Sequence, residues 1–206
     1  CSYTDSGHDY SGYSLMDIRR FLFKNRSFTP IPIILTVIYC SSPSTPYVYM
    51  GFVLVITGEV IRFNAVRYAG GATRTTKVGA SSLCTAGPYA RTRNPLYLGN
   101  VIIYAGMVFV AGGIWIWYLL PVIITFFILQ YAFIISLEEE TLAIKFGGAY
   151  KIYSNNVPRL IPRLNAWDNL DRRQPATVKK TLKNEKRTLQ NIILISAIIL
   201  LKPIFF

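Results

Sequence analysis

Apolar residues in this chain come in long blocks separated by polar or basic connections, and block length is the first signal to read. The first block, Ile31 to Cys40, is entered through Pro30 and Pro32 and stopped by Ser41-Ser42-Pro43-Ser44-Thr45-Pro46. A bilayer-crossing helix needs about 20 residues and at least about 17, so this block, taken from Phe28 to Ser42, makes a marginal first span. Tyr47 to Phe63 is a better candidate, with Glu59 and Arg62 near its inner end. Those two either pair as i, i+3 neighbours or line a polar cavity, the usual reading of ionisable groups at depth. Leu96 to Ala111 and Ile114 to Ser136 are separated by Gly112-Gly113, which predicts a helical hairpin with Trp115, Trp117 and Tyr118 at a membrane interface. The last block, Asn191 to Phe206, is broken only by Ser196, Lys202 and Pro203 and predicts a short fifth span or an interfacial helix. The expected fold is all-α: a polytopic helical membrane protein with four to five transmembrane helices.

Charge orients these spans. The stretch Met16 to Arg26, the connection Arg67 to Thr92 (with Arg74 and Lys77) and the region after Glu138 are rich in Lys and Arg, whereas the Ser41–Pro46 and Gly112–Gly113 turns carry no charge. The positive-inside rule then puts the N-terminus in the cytoplasm, as in a protein of a bacterial inner membrane. Hydrophobic residues at 52% beside a net charge of +12 fit the same picture. The basic residues flank apolar runs and form no aromatic-basic motif, so the expected partner is a lipid bilayer and no nucleic acid.

Cys1, Cys40 and Cys84 are widely spaced, with no CxxC and no partner histidine, so neither a disulfide framework nor a metal site is expected. The single histidine, His8, lies outside any plausible core, which removes His-based triads. Cys1 would suit a lipidated mature terminus, but Cys1 to Leu15 contains no apolar core of a signal, and a natural start at Met16 is the preferred expectation.

Two clusters flank the Gly112-Gly113 hairpin. In the first, Ala86 to Asn100, Asn94-Pro95 marks a helix start, with Asn capping free N–H groups and Pro in the first helical position. Arg91 and Arg93 beside that positive helix end make a site for a carboxylate or phosphate; the plain alternative is a capped span with anchoring arginines. The second cluster holds Glu138-Glu139-Glu140, Phe146-Gly147-Gly148-Ala149-Tyr150, Tyr153 and Val157 to Pro162. Three acids at the C-terminal end of a span oppose the helix dipole, so the arginines of the first cluster, a cationic ligand or solvent should compensate them. The hairpin returns its second helix to the side where its first began, so the clusters can meet in a pocket suited to a zwitterion carrying a sulfonium.

Gly87-Pro88-Tyr89, Arg93-Asn94-Pro95-Leu96-Tyr97-Leu98-Gly99, the hairpin, and then Glu138-Glu139-Glu140, Phe146-Gly147, Tyr150, Tyr153 and Val157-Pro158 through Pro162 resemble, in order and spacing, the membrane methyltransferases of the isoprenylcysteine carboxyl methyltransferase and phospholipid methyltransferase group. The resemblance runs from about Gly51 to Pro162. It is absent from the flanks, and with their composition the expected division is a polar and basic leader over residues 1–27, a membrane methyltransferase domain over 28–162, and a basic linker with a hydrophobic tail over 163–206. The resemblance implies S-adenosylmethionine as cofactor in a cytoplasmic-side pocket and a lipid-soluble acceptor entering from the bilayer. By the same resemblance, Gly87, Tyr89, Arg93, Asn94, Pro95, Tyr97, Gly99, Glu138, Glu139 and Tyr150 would bind the cofactor, with Arg93, Glu138 and Glu139 closest to the chemistry. Enzymes acting on isoprenylcysteine have Arg-His-Pro where this chain has Arg93-Asn94-Pro95, and an acidic pair often follows Phe-Gly where Gly148 and Ala149 stand here. Both departures leave the acceptor open.

A carboxylate or thiolate acceptor needs no base; an amine or hydroxyl does, and Glu59, Glu138, Glu139 and Glu140 are the candidates. Two other readings keep the fold. One is a non-catalytic subunit whose basic Arg172 to Arg187 segment and apolar tail bind membrane-complex partners or anionic lipid. The other is a sterol-reductase-like relative using NADPH, for which no GxGxxG fingerprint is present.

Overall fold

The computed structural model of the chain describes residues 18–70 and 78–205. The expectations placed on Cys1 to Leu15, His8 and Met16, and on Arg74 and Lys77, lie outside them. The described residues form seven α-helices in order: α1 (Ile18–Asn25), α2 (Ile31–Tyr39), α3 (Thr45–Ala69), α4 (Pro95–Ala111), α5 (Ile116–Phe146), α6 (Gly148–Asn156) and α7 (Val178–Phe205). A 3-10 turn at Gly87–Ala90 precedes α4. Among the described residues three helices, α3, α5 and α7, are long and apolar enough to cross a membrane, and α4 with 17 residues stands at the lower bound.

The first block differs from the expected span. α2 is only nine residues long, about 13 Å, because Pro30 and Pro32 set its start and Ser41-Ser42-Pro43 end it. The chain there runs from the middle of α5 to the hairpin turn. Thr29, just ahead of α2, accepts a hydrogen bond from Gln130 Nε2 at 2.8 Å, while Ser42 N–H donates to the Ala111 carbonyl beside the hairpin turn. That turn is as expected: Gly112 and Gly113 adopt φ of +67° and +73°, a region costly for any side chain.

Two further elements run longer than the apolar blocks that announce them. α5 does not stop at its three acids but continues to Phe146, where arginines from elsewhere in the chain pair with Glu139 and Glu140. α7 begins at Val178, so part of the stretch read as a basic linker is helix. It lies antiparallel to α3 and is held at both ends. Near its start Glu185, 1% exposed, pairs with Arg62 of α3 (Oε2–Nη2 2.7 Å). Near its end Lys202 Nζ donates to the carbonyls of Ile38, Tyr39 and Ser41 at 3.0, 2.5 and 3.2 Å, placing a cation on the negative terminus of α2. The Glu59–Arg62 alternative resolves as an i, i+3 ion pair (3.4 Å) that also takes in Glu185 and Asn100.

The tightest helix pair is α3 against α4, and glycine makes it. Gly51 faces Gly106 and Gly58 faces Gly99, each pair seven residues from the other along its own helix. A Cβ on Gly58 would stand 2.7 Å from the Gly99 carbonyl oxygen, and one on Gly106 would stand 2.8 Å from that of Gly51. Small residues at such crossings let backbones approach closely where lipid offers no hydrophobic drive. Gly58→Leu or Gly106→Leu is therefore expected to cost about 3 kcal/mol or more, read as a lowered thermal midpoint in detergent. Gly148→Ala, which meets nothing within 4 Å, should stay within about 0.5 kcal/mol of the parent.

Candidate functional site

Where α3 ends and α4 begins, the chain encloses a cavity of about 160 Å³. α4 contributes Tyr97, and the residues just before it contribute Arg93 and Asn94. α5 contributes Glu138, Glu139 and Leu142, with 138 and 142 one helical turn apart on the same face. Tyr150 and Tyr153 reach in from α6, Tyr89 from the 3-10 turn, and the 79–84 loop closes one side. The two sequence clusters on either side of the hairpin thus meet.

Their meeting is electrostatic at its centre. Arg93 Nε lies 3.0 Å from Glu139 Oε1, while Nη1 donates to the Ser154 carbonyl at 2.8 Å. Arg159 clasps the other oxygen of Glu139 (Nη2–Oε2 2.6 Å), and Arg19 of α1 takes Glu140 at 2.7 Å. The first cluster therefore supplies part of the compensation expected for the acids, and Arg159 and Arg19 add to it at Glu139 and Glu140. Glu138 has no such clasp: its carboxylate lies beside the Tyr97 hydroxyl and within the field of Arg26. The Tyr97 ring packs on Tyr131 with centroids 4.7 Å apart, which fixes the hydroxyl against Glu138.

Around this centre several polar atoms are buried without a well-formed hydrogen bond among the described residues: Arg93 Nε, Glu139 Oε1 and Tyr150 Oη. Tyr150 sits beside Glu139, and burial first, then that negative charge, pushes its hydroxyl up to about 12, so at neutral pH it is a proton-bearing donor. Burial also raises the Cys84 thiol, against the lowering pull of Arg173, and keeps it neutral. A cavity walled by buried groups of both signs suits a small polar ligand with both signs of charge.

Not every residue suggested by the sequence is here. Of the ten, Tyr89, Arg93, Asn94, Tyr97, Glu138, Glu139 and Tyr150 line the cavity, and Gly87, Pro95 and Gly99 do not. Gly87 (φ +59°) lies against the ring of Tyr68, which a Cβ would meet at 2.5 Å. Pro95 is buried in the first turn of α4. Gly99 faces Gly58 in the helix crossing. Asn94 holds the N-cap position, but its side chain makes no cap bond. Its Nδ2 donates to the Arg159 carbonyl at 3.0 Å instead. Arg91 turns away to the Leu164 carbonyl. Among the four candidate bases, Glu138 and Glu139 line the cavity, whereas Glu59 belongs to the Arg62 network and Glu140 to Arg19.

Several lining residues escaped the sequence reading. Phe23 and Arg26 come from α1 and the turn after it, and Arg173 from the segment before α7. That segment fastens the 79–85 loop: Asp171 accepts from Thr85 N–H at 2.9 Å, Asn169 Nδ2 donates to the Thr85 carbonyl at 3.0 Å, and Arg173 Nη2 donates to the Leu83 carbonyl at 3.0 Å. Burial works against the Asp171 charge, yet these backbone donors and the Arg173 guanidinium hold its carboxyl below the ordinary 3.8. No local pattern marks Arg26 or Arg173, since each looks like one more basic residue flanking a span.

The family model for phospholipid methyltransferases matches residues 47–149, covering nearly all of α3, then α4 and α5, and the start of α6. No curated protein and no solved structure matches the chain.

Proposed function

The chain belongs to the phospholipid methyltransferase family, and from that premise we propose that its cavity binds S-adenosylmethionine and that it methylates a lipid-soluble acceptor. The acceptor class is a prenylated or isoprenoid carboxylate or thiol, or a lipid head group. The observation that carries this reading is the convergence of Arg93, Glu139, Glu138 and Tyr97 in one cavity, beside the buried Tyr150 hydroxyl. When bound, S-adenosylmethionine supplies a methyl group on a positively charged sulfur.

The chain's own residues then have distinct tasks. Arg93 and Arg159 hold Glu139 at the cavity wall, where it would receive an amino or ribose group of the cofactor; such fixed charges cost no reorganisation when a ligand arrives. Tyr150 Oη donates. Tyr89, Tyr97 and Tyr153 enclose the site and keep water out, with Tyr153 locked by its hydrogen bond to the Tyr89 carbonyl (2.8 Å). Glu138, free of an arginine clasp on its oxygens, takes the proton where the acceptor is an amine or hydroxyl. Alignment of donor and acceptor is the larger part of the work, since well-oriented groups gain several kcal/mol from position alone. By the positive-inside distribution of Lys and Arg, the cavity faces the cytoplasm, in keeping with a bacterial inner membrane.

Methyl-labelled S-adenosylmethionine incubated with the purified protein in liposomes of total membrane lipid tests this reading. Label is expected in the solvent-extractable fraction, and Glu138→Gln is expected to lower it at least tenfold for an amine or hydroxyl acceptor. Protein that binds the cofactor yet transfers no label to any lipid fraction would favour a non-catalytic subunit that keeps the fold. A second outcome is cheap to read: bound S-adenosylhomocysteine is expected to slow maleimide labelling of Cys84, which lines the cavity, and to leave Cys40 unaffected.

A further inference from the structure

α7 carries two different surfaces. One is fixed in the bundle: Thr181 and Glu185 are buried, Glu185 Oε2 meets Arg62 Nη2 at 2.7 Å, and further along Ile192 and Ile195 pack on Val55, Ile103 and Met107. The other faces outward and is strongly basic. Lys179, Lys180, Lys183, Lys186 and Arg187 are all exposed. At about 3.6 residues per turn they fall within an arc of about 120°, on the side of the helix away from Thr181 and Glu185. Among the described residues none of the five has an ion pair or a side-chain hydrogen bond. Their placement is unfavourable for the helix by itself. Lys179–Lys183 and Lys183–Arg187 are like charges at i, i+4, and Lys183–Lys186 at i, i+3. The first turn holds no acid, and Lys179 and Lys180 stand at the positive end of the helix dipole. Charges so arranged call for an external anion.

The kind of anion follows from the rest of the same face. Beyond Gln190 and Asn191 the arc continues as Leu194, Ile198 and Leu201, which are 59%, 42% and 48% exposed, so one strip turns from basic to apolar. Helix length places that change. Lys202, bound to the carbonyls of Ile38, Tyr39 and Ser41, marks the far end. At about 1.5 Å per residue, Arg187 stands about 22 Å from it and Lys179 about 34 Å, against a hydrocarbon core of about 30 Å. With Lys202 at one boundary the five cations bracket the other, and Lys186 and Arg187 reach it by extending their long stems. The cavity lies at this same end of the bundle, where Arg173 meets the 79–85 loop. We infer that this face of α7 is a docking strip for an anionic phospholipid, its phosphate among the five cations and an acyl chain along Leu194, Ile198 and Leu201. A soluble acid fits the basic half alone, whereas a phospholipid fits both halves, and each Lys or Arg at an anionic membrane surface adds attraction. The strip lies outside the family-matched residues 47–149 and is independent of what the cavity binds.

Native mass spectrometry of the full chain, released from detergent micelles doped with equal amounts of dioleoyl phosphatidylglycerol and dioleoyl phosphatidylcholine, tests this by counting bound lipids by mass. Phosphatidylglycerol adducts are expected to outnumber phosphatidylcholine adducts about tenfold or more. Replacing Lys179, Lys180, Lys183, Lys186 and Arg187 together by Gln should bring the ratio to within about twofold of one, with a thermal midpoint showing the variant folded. Lys151→Gln, which removes an exposed cation of α6, should leave the ratio unchanged. The inference falls if the parent takes up both lipids alike, or if the preference survives the fivefold variant, which would place the anionic lipid elsewhere, the cavity included. It falls equally if Lys151→Gln lowers the ratio as much, since net charge alone would then be at work. A polyglutamate peptide held by the same five residues in preference to phosphatidylglycerol would assign the face to an acidic protein and overturn it too. Should the fivefold variant not fold, Lys183→Gln with Arg187→Gln removes the centre of the cluster; the ratio must then drop at least about threefold, and an unchanged ratio overturns the inference.

Discussion

Replacing Arg93 by alanine is expected to weaken S-adenosylhomocysteine binding about fiftyfold or more while leaving the protein folded. Arg93 joins three parts of the site: its Nε meets Glu139 of α5, its Nη1 meets the Ser154 carbonyl of α6, and its own N–H donates to the Pro158 carbonyl at 2.9 Å. Alanine keeps the last of these and forfeits the other two. Glu139 remains clasped by Arg159 at 2.6 Å, so no buried carboxylate is stranded and the fold survives. The cavity loses the contact that sets α6 at its distance from α5, and with it the placement of Tyr150. Loss of hydrogen bonds to a charged group costs about 1.5–3 kcal/mol, and misplacement of the facing wall adds to it. Arg93→Lys should recover only part, because an ammonium cannot serve Glu139 and Ser154 in one plane as a guanidinium does. Calorimetric titration of both variants checks this; affinity within threefold of the parent in Arg93→Ala would mean that the ion pair belongs to the scaffold alone.

Glu185→Ala is expected to be the most damaging single change outside the cavity. Glu185 is 1% exposed and its partner Arg62 is 8% exposed. Arg62 is the hub of a network reaching Glu59, Asn100, Glu185 and Thr188 across three helices. Removing one member of a buried pair leaves an uncompensated charge and typically costs about 3–5 kcal/mol. For a chain of this size that corresponds to a fall of roughly ten degrees or more in the thermal midpoint. Lys179→Ala, exposed on the first turn of the same helix, should change the midpoint little, within about 0.5 kcal/mol. A small effect at Glu185 would show that α7 is a detachable anchor; a large one shows that it is part of the structural core.

The hairpin and its glycine turn were legible in the sequence because two apolar runs and a Gly-Gly break leave few arrangements that bury the runs. The meeting of Arg93 with Glu138 and Glu139 followed from that hairpin, since its ends must return to one side. What could not be read was anything set by distant packing. Gly99 sits in a string that resembles a cofactor motif, but only the facing position of Gly58 shows that its missing side chain serves helix approach. Asn94 has the sequence of a helix cap, yet the carbonyl of Arg159, 65 residues away, claims its side chain. Length rules also misjudge helices whose charged ends are neutralised in three dimensions. α5 passes through Glu138-Glu139-Glu140 because Arg93, Arg159 and Arg19 converge on Glu139 and Glu140, and α7 starts well before its apolar block because Glu185 is buried against Arg62. Arg26 and Arg173 were invisible for the same reason, each brought to the cavity by a fold no local window contains.

The most direct test of the central claim is isothermal titration of S-adenosylhomocysteine into the detergent-purified protein, with Glu138→Ala measured alongside. One site of micromolar affinity in the parent, lost or strongly weakened in the variant, is the predicted result. No binding heat in protein whose circular dichroism and thermal transition show it folded would contradict the account and leave the cavity as part of a non-catalytic membrane subunit.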